Sequence, residues 1–220
     1  MPALAALALS ACGGGVEATP RPGDALPGVL VAASDVALPA ANLAEARARL
    51  EAGLAADPDE LGLLVDLATT WRLEGRPEAA QALLDEVVSR GAPREQQAAL
   101  VNLACLYAED GYQTAAAAYL ETARDVDPAR PEPHYALALL ASGRADPARA
   151  DAELREALRL DPDGAARATL VFARPEAAQH MEALLAEASG DADGAALRWR
   201  EVARGSFPSL AQIAERRLQR

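Results

Sequence analysis

The sequence contains no lysine, so all 21 of its basic residues are arginine. That absence excludes a phosphate-binding loop built on lysine, a Schiff-base nucleophile and a kinase-type nucleotide lysine. Rings are scarce too: 2 Phe, 2 Trp and 4 Tyr cannot supply the core of a 220-residue chain. The apolar content is alanine and leucine with few β-branched residues, which favours helix over sheet. Two cysteines make no disulfide framework. A net charge of −12, from 33 acidic against 21 basic residues, argues against a nucleic-acid surface. What is present is a 51% hydrophobic share, too high for a disordered chain, in a length that suits one domain with a tail.

Motifs that would carry chemistry are missing. The two histidines, His134 and His180, stand in different parts of the chain and form no His-x-x-x-His pair, so no zinc site is expected. No Gly-x-Ser-x-Gly elbow or Gly-x-Gly-x-x-Gly loop occurs. Asp191-Ala192-Asp193-Gly194 starts like a calcium loop, but Ala196 and Val202 hold the positions that need glycine and glutamate. It reads as a turn and helix N-cap. Cys105 reads as a small helix-face residue, His134 as a packing residue, and His180 as a solvent-facing or boundary residue. No enzyme activity, cofactor or metal is expected.

Ala3 to Ala11 is apolar apart from Ser10, too short to span a bilayer and the right size for the core of a secretory signal. It ends in Leu9-Ser10-Ala11-Cys12, followed by three glycines. These four residues resemble the lipobox of bacterial lipoproteins. The resemblance implies a signal peptide over 1–11 and lipidation of Cys12, and Gly13 in place of aspartate suits sorting to a periplasm-facing outer membrane. Only Met1 and Pro2 precede the apolar run, so the usual basic region is missing. Either the true start lies upstream, or the signal is misread and the protein is a cytosolic adaptor. Pro20, Pro22, Pro27 and Pro39 mark residues 12–40 as a flexible linker. Within it, Val29 to Ala33 is an apolar island expected to lie against the first helix.

Past residue 40 a stripe recurs with internal spacing four, then three: Ala46, Leu50, Gly53; Ala80, Leu84, Val87; Ala116, Leu120, Ala123; Ala150, Leu154, Ala157. Copies are offset by 34, 36 and 34 residues. Leu67-Ala68 with Trp71 and Gly75, Leu103-Ala104 with Tyr107 and Gly111, and Leu137-Ala138 with Gly143 precede the last three copies, and Asp-Pro pairs end three of the helices. This pattern resembles the tetratricopeptide repeat, whose period is 34 residues. The fourth copy departs from it: Ala141 stands where an aromatic is expected, and Gly143 comes two residues early. A fifth copy, Ala195, Trp199 and Val202, follows after an inserted segment, Gly164 to Ala173, with Pro175 to Ser189 as its first helix. Phe207 to Arg220 reads as a capping helix with Leu210, Ile213, Ala214 and Leu218 on one face. Trp71, Tyr107 and Trp199 are expected in the core.

The fold implied by the resemblance is all-α: a right-handed solenoid of antiparallel helix pairs over residues 41–220, closed by a C-terminal capping helix. In the repeat family the first helices line a concave groove that holds an extended peptide or a partner's helix. Carried over by position, the groove residues are Val65, Asp66, Thr69 and Arg72, then Val101, Asn102 and Cys105, then Tyr135 and Leu139. Asn102 fits one position of the family's clamp for a C-terminal carboxylate, but most basic companions are absent. An apolar strip with Asn102 bonding a partner's backbone is the better expectation. The function implied is a membrane-anchored scaffold in the bacterial envelope that binds a protein or peptide. The alternatives are a cytosolic adaptor or a non-catalytic subunit of an envelope enzyme complex.

Overall fold

The stripe repeated in the sequence is a buried helix face. Every stripe residue named above is buried except Gly53, including Ala195, Trp199 and Val202 of the fifth copy. The computed structural model describes residues 24–34 and 42–219. Among them are ten α-helices: α1 (Leu43–Ala56), α2 (Leu61–Leu73), α3 (Pro77–Arg90), α4 (Pro93–Glu109), α5 (Gln113–Val126), α6 (Glu132–Gly143), α7 (Pro147–Leu160), α8 (Pro175–Ser189), α9 (Ala192–Ala203) and α10 (Pro208–Leu218). Helices α2–α3, α4–α5, α6–α7 and α8–α9 are pairs, each packed chiefly on its sequence neighbours. The molecule is an α-helical solenoid of stacked helix pairs, with α1 as an unpaired second helix at one end and α10 as the cap at the other. Small residues at the outer stripe positions let neighbouring helices approach, and the large central residue fills the space between them.

The helix starts follow local chemistry. Proline opens α3, α4, α7, α8 and α10, where a missing N–H costs nothing. Asn42, Asp146 and Asp191 accept hydrogen bonds from the backbone N–H three residues on, at 3.2, 3.0 and 2.9 Å.

All four pairs turn in the same way. The N–H groups of Arg76, Tyr112, Asp146 and Asp191 donate to the carbonyls of Trp71, Tyr107, Ala141 and Ala186 at 2.8–2.9 Å, each five residues back. The residue before each donor is left-handed. In three pairs it is glycine (Gly75, Gly111, Gly190), but in α6–α7 it is Ala145, with φ of 60°. The early glycine of the fourth repeat is therefore not the turn residue.

The insertion is neither a helix nor a plain loop. It holds a 3-10 turn (Arg167–Thr169) and a strand, β2 (Leu170–Phe172). This strand pairs antiparallel with β1 (Val29–Val31), in the register Val29 to Phe172, Leu30 to Val171 and Val31 to Leu170. Of the island Val29 to Ala33, expected against the first helix, the strand Val29–Val31 instead lies on α4, and Ala33 bonds to Asp66 of α2. Residues 24–34 fall in the span read as linker, yet Leu26, Val29, Leu30, Val31 and Ala33 are all buried. The rest of the 12–40 span, apart from 24–34, lies outside the described residues, as do the 1–11 signal and the Cys12 lipidation expectation.

Other expectations shift in detail. Trp71 and Tyr107 are half-buried at the edge of the core, with Arg76 over the Trp71 ring at 4.6 Å and Tyr119 stacked on Tyr107 at 5.1 Å. Leu218 sits at the end of α10 and is 37% exposed, because the helix stops there.

Candidate functional site

Two of the first helices, α4 and α2, place a polar side chain under residues 24–34. On α4 that side chain is Asn102, fully buried. Its Oδ1 accepts from the N–H of Val31 at 2.7 Å, and its Nδ2 donates to the carbonyl of Val31 at 3.0 Å. The second Nδ2 hydrogen goes to Thr69 Oγ1 at 3.0 Å, and Thr69 donates to the Val65 carbonyl at 3.1 Å. Both amide hydrogens are used, so the buried carboxamide leaves no donor unmade. In a strand, the N–H and C=O of one residue point to the same side. Val31 turns both toward Asn102, so Leu30 turns both toward Val171. Asn102 thus takes the place of a neighbouring strand on the free edge of β1.

On α2 the polar side chain is Asp66. Its Oδ1 accepts from Ala33 N–H at 2.8 Å; its Oδ2 accepts from Ser34 N–H at 3.0 Å and from the Ser34 hydroxyl. Burial pushes its carboxyl above the usual carboxylate value, against the pull of these three donors and of Arg94. The segment therefore runs from the α5 end, where Gln113 Nε2 donates to the Asp24 carbonyl at 2.6 Å, along α4 and across to α2. Leu26 N–H donates to the Ala108 carbonyl at 2.9 Å on the way.

Between Leu26 and Val31 the fit is steric. A methyl group on Gly28 would lie 2.8 Å from Cys105 Sγ and 3.0 Å from Cys105 Cα. Only glycine lets the strand approach α4 this closely. Cys105 is buried beneath it, and burial pushes its thiol up to about 12, so it stays protonated and inert. A cavity of about 20 Å³ remains below Gly28 and Val29, lined by Val101, Cys105 and Leu139, with room for no more than one water. The space beneath Gly28 and Val29 is nearly filled.

The structure thus brings Asp66, Thr69, Val101, Asn102, Cys105 and Leu139 together around one extended segment of the same chain, while Val65 is buried and its carbonyl accepts from Thr69. Arg72 pairs with Glu109, joining α2 to α4. Tyr135 serves another purpose: its hydroxyl donates to Asp161 at 3.0 Å. Asp161 also accepts from the N–H groups of Ala166 and Arg167, at 3.0 and 2.9 Å. Burial alone would raise its carboxyl, but these donors hold it below the usual value. Asp161 shapes the turn that delivers β2 to β1, a role that reading its Asp-Pro pair as a helix junction missed. The available signal was the pair of short β-forming runs, Val29-Leu30-Val31 and Leu170-Val171-Phe172, in a chain otherwise built of alanine and leucine.

The histidines lie elsewhere. His134 Nδ1 is 2.8 Å from Glu153 Oε2 in the α6–α7 interface. His180, expected at a boundary position, is 1% exposed, with Nε2 at 2.8 Å from Ser142 Oγ and its ring against Trp199. Burial, with Arg217 nearby, lowers its pKa to about 3. Among the described residues no group of three or more His, Cys, Asp or Glu is placed to hold a metal.

Residues 98–130, which span most of α4 and all of α5, match the family model for a tetratricopeptide repeat. Among solved structures, the chain is similar to the crystal structure of MamA, with 19% identity over 82% of this chain and 93% of that one and a TM-score of 0.45. It is also similar to a tetratricopeptide repeat protein from Parabacteroides merdae ATCC 43184, with 21% identity over 74% of this chain and 59% of that one and a TM-score of 0.45. No curated protein matches the sequence.

Proposed function

We propose that this protein is a non-catalytic interaction scaffold whose concave face binds an extended protein segment, and that a lipid on Cys12 tethers it to a bacterial membrane. The observation that carries the groove reading is the two-bond contact of Asn102 with the backbone of Val31. Such a contact reads an extended chain without regard to its side chains. Asp66 and the Arg72–Glu109 pair flank it on the first helices. The tether reading rests on the lipobox-like Leu9-Ser10-Ala11-Cys12. Lipoproteins with more than one acyl chain hold stably to a bilayer, and the envelope face of the membrane is where such a scaffold would act. Among the described residues no helix is long and apolar enough to cross a membrane.

Fractionation of wild type and Cys12→Ala tests the tether. Wild type in the membrane fraction with a soluble variant supports it; both proteins soluble overturns it in favour of an untethered adaptor. A photo-crosslinker at Leu139 in intact cells, in a chain carrying Gly28→Val so that residues 24–34 do not cover it, tests the groove. One dominant protein adduct that disappears in Asn102→Arg supports it, and adducts indifferent to Asn102 overturn it.

A further inference from the structure

Residues 24–34 sit in the concave face as a separate partner would. They are extended, held through backbone groups at Leu26, Val31, Ala33 and Ser34, and belong to none of the ten helices. Their apolar side chains, Leu26, Val29, Val31 and Ala33, complete the buried cluster that the helix pairs begin. The contacts also select side chains. Leu26 lies on Gly143, where a methyl group would come within 2.7 Å of its Cδ1, so the early glycine of the fourth repeat clears room for a large aliphatic residue. Gly28 admits nothing larger over Cys105. Val29 and Val31 are buried, at 1% and 3% exposure. The carbonyl of Ala33 is 3.0 Å from where a methyl on Gly62 would lie, and Ser34 gives its hydroxyl to Asp66.

We infer that residues 24–34 are a resident ligand that closes the groove, and that the segment which displaces them repeats their pattern. That pattern is a large aliphatic residue, glycine two positions later, aliphatic residues one and three positions after the glycine, and a small residue followed by serine or threonine. The inference rests on the groove reading above. A resident segment joined by a short stretch of chain acts at an effective concentration of roughly millimolar. A free peptide with micromolar affinity for the open groove would then bind wild type roughly a hundredfold or more weakly than a chain whose groove is open.

The test uses the full chain carrying Gly28→Val, which keeps the resident segment from seating and leaves every groove residue in place. The probe is a fluorescent peptide of residues 24–34. The expected result is binding to Gly28→Val at least tenfold tighter than to wild type, lost on adding Asn102→Ala, and lost when the peptide itself carries valine at the glycine position. Equal binding of both peptides would overturn the pattern while leaving the groove reading intact. Binding of neither peptide, with helical circular dichroism unchanged, would overturn both. If Gly28→Val does not fold, amide exchange of wild type decides the matter. Val31 N–H exchanging by local opening, well ahead of the α4 amides, supports a displaceable ligand, and exchange only with global unfolding overturns it.

Discussion

Asn102 and Val31 meet as two strands of a sheet meet: a side-chain carboxamide on a helix bonds both backbone polar groups of one residue, at 2.7 and 3.0 Å. The bond is 71 residues long in sequence and holds in place a segment that belongs to no helical repeat. Removing the carboxamide leaves a buried N–H and a buried carbonyl unpaired, each a desolvation cost. Asn102→Ala is expected to lower stability by about 2–4 kcal/mol, measured as a shift of the urea midpoint with an unchanged slope. Gln in its place should not rescue, because the extra methylene moves both bonds out of register.

Cys105 reports on the same contact from beneath. Its thiol is buried and protonated, with its pKa pushed up to about 12. In a Cys12→Ser background, iodoacetamide at pH 8 is expected to label native protein slowly. Adding Gly28→Val should speed labelling at least tenfold, read by mass spectrometry of the intact chain.

His180 predicts an acid limb to the stability curve. Its folded pKa is depressed to about 3 from an ordinary 6.5, so between those values the unfolded chain binds the extra proton. Stability is therefore full above pH 6.5, falls as pH drops toward 3, and loses no more from this group below that. The slope this residue adds is up to about 1.4 kcal/mol per pH unit. His180→Gln should flatten the limb in thermal melts between pH 6.5 and 4, although Asp161 and Glu176, held below the usual carboxylate value in the folded state, leave a residual slope of the same sign at lower pH.

Ala145 holds the left-handed turn that Gly75, Gly111 and Gly190 hold in the other pairs. An L-residue there costs about 1–2 kcal/mol, partly offset by the greater chain entropy glycine brings to the unfolded state. Ala145→Gly is expected to raise stability by about 0.5–1 kcal/mol, measured by chemical denaturation.

Trp199 fastens the cap. It is 2% exposed, donates from Nε1 to Glu187 at 2.8 Å, and lies under Arg217, which pairs with the same glutamate at 2.9 Å. Trp199→Ala should cost about 3–5 kcal/mol and open the arginine-rich end of α10 to trypsin before the rest of the chain.

The sequence made the repeats legible because one physical rule, a buried stripe on each second helix, recurs at nearly constant spacing from Ala46 to Ala157. The same periodicity located the fifth copy through Trp199 and the cap through Leu210 and Ile213. It could not place Val29 to Val31. A three-residue strand carries too little pattern to show its partner, and that partner, Leu170 to Phe172, lies inside an insertion that breaks the period. Gly143 was visible as an oddity, but its reason is the side chain of Leu26, more than a hundred residues earlier. His180 was misplaced because helical position alone does not tell a boundary histidine from one that meets Ser142 inside the core.

The pairing of Leu30 with Val171 also sets an order of events. Residue 30 leaves the ribosome 141 residues before its strand partner exists. At about 5–20 residues per second, that interval is on the order of ten seconds. Through it, the helix pairs can fold one upon another as they emerge, since each needs only its neighbour. The valine–leucine–valine stretch waits, without its strand partner, until the insertion arrives. Once α6 and α7 are made, only residues 161–172 remain before the strand partner is complete, so the period in which the helix pairs around Asn102 stand and Leu30 has no strand partner is about one second.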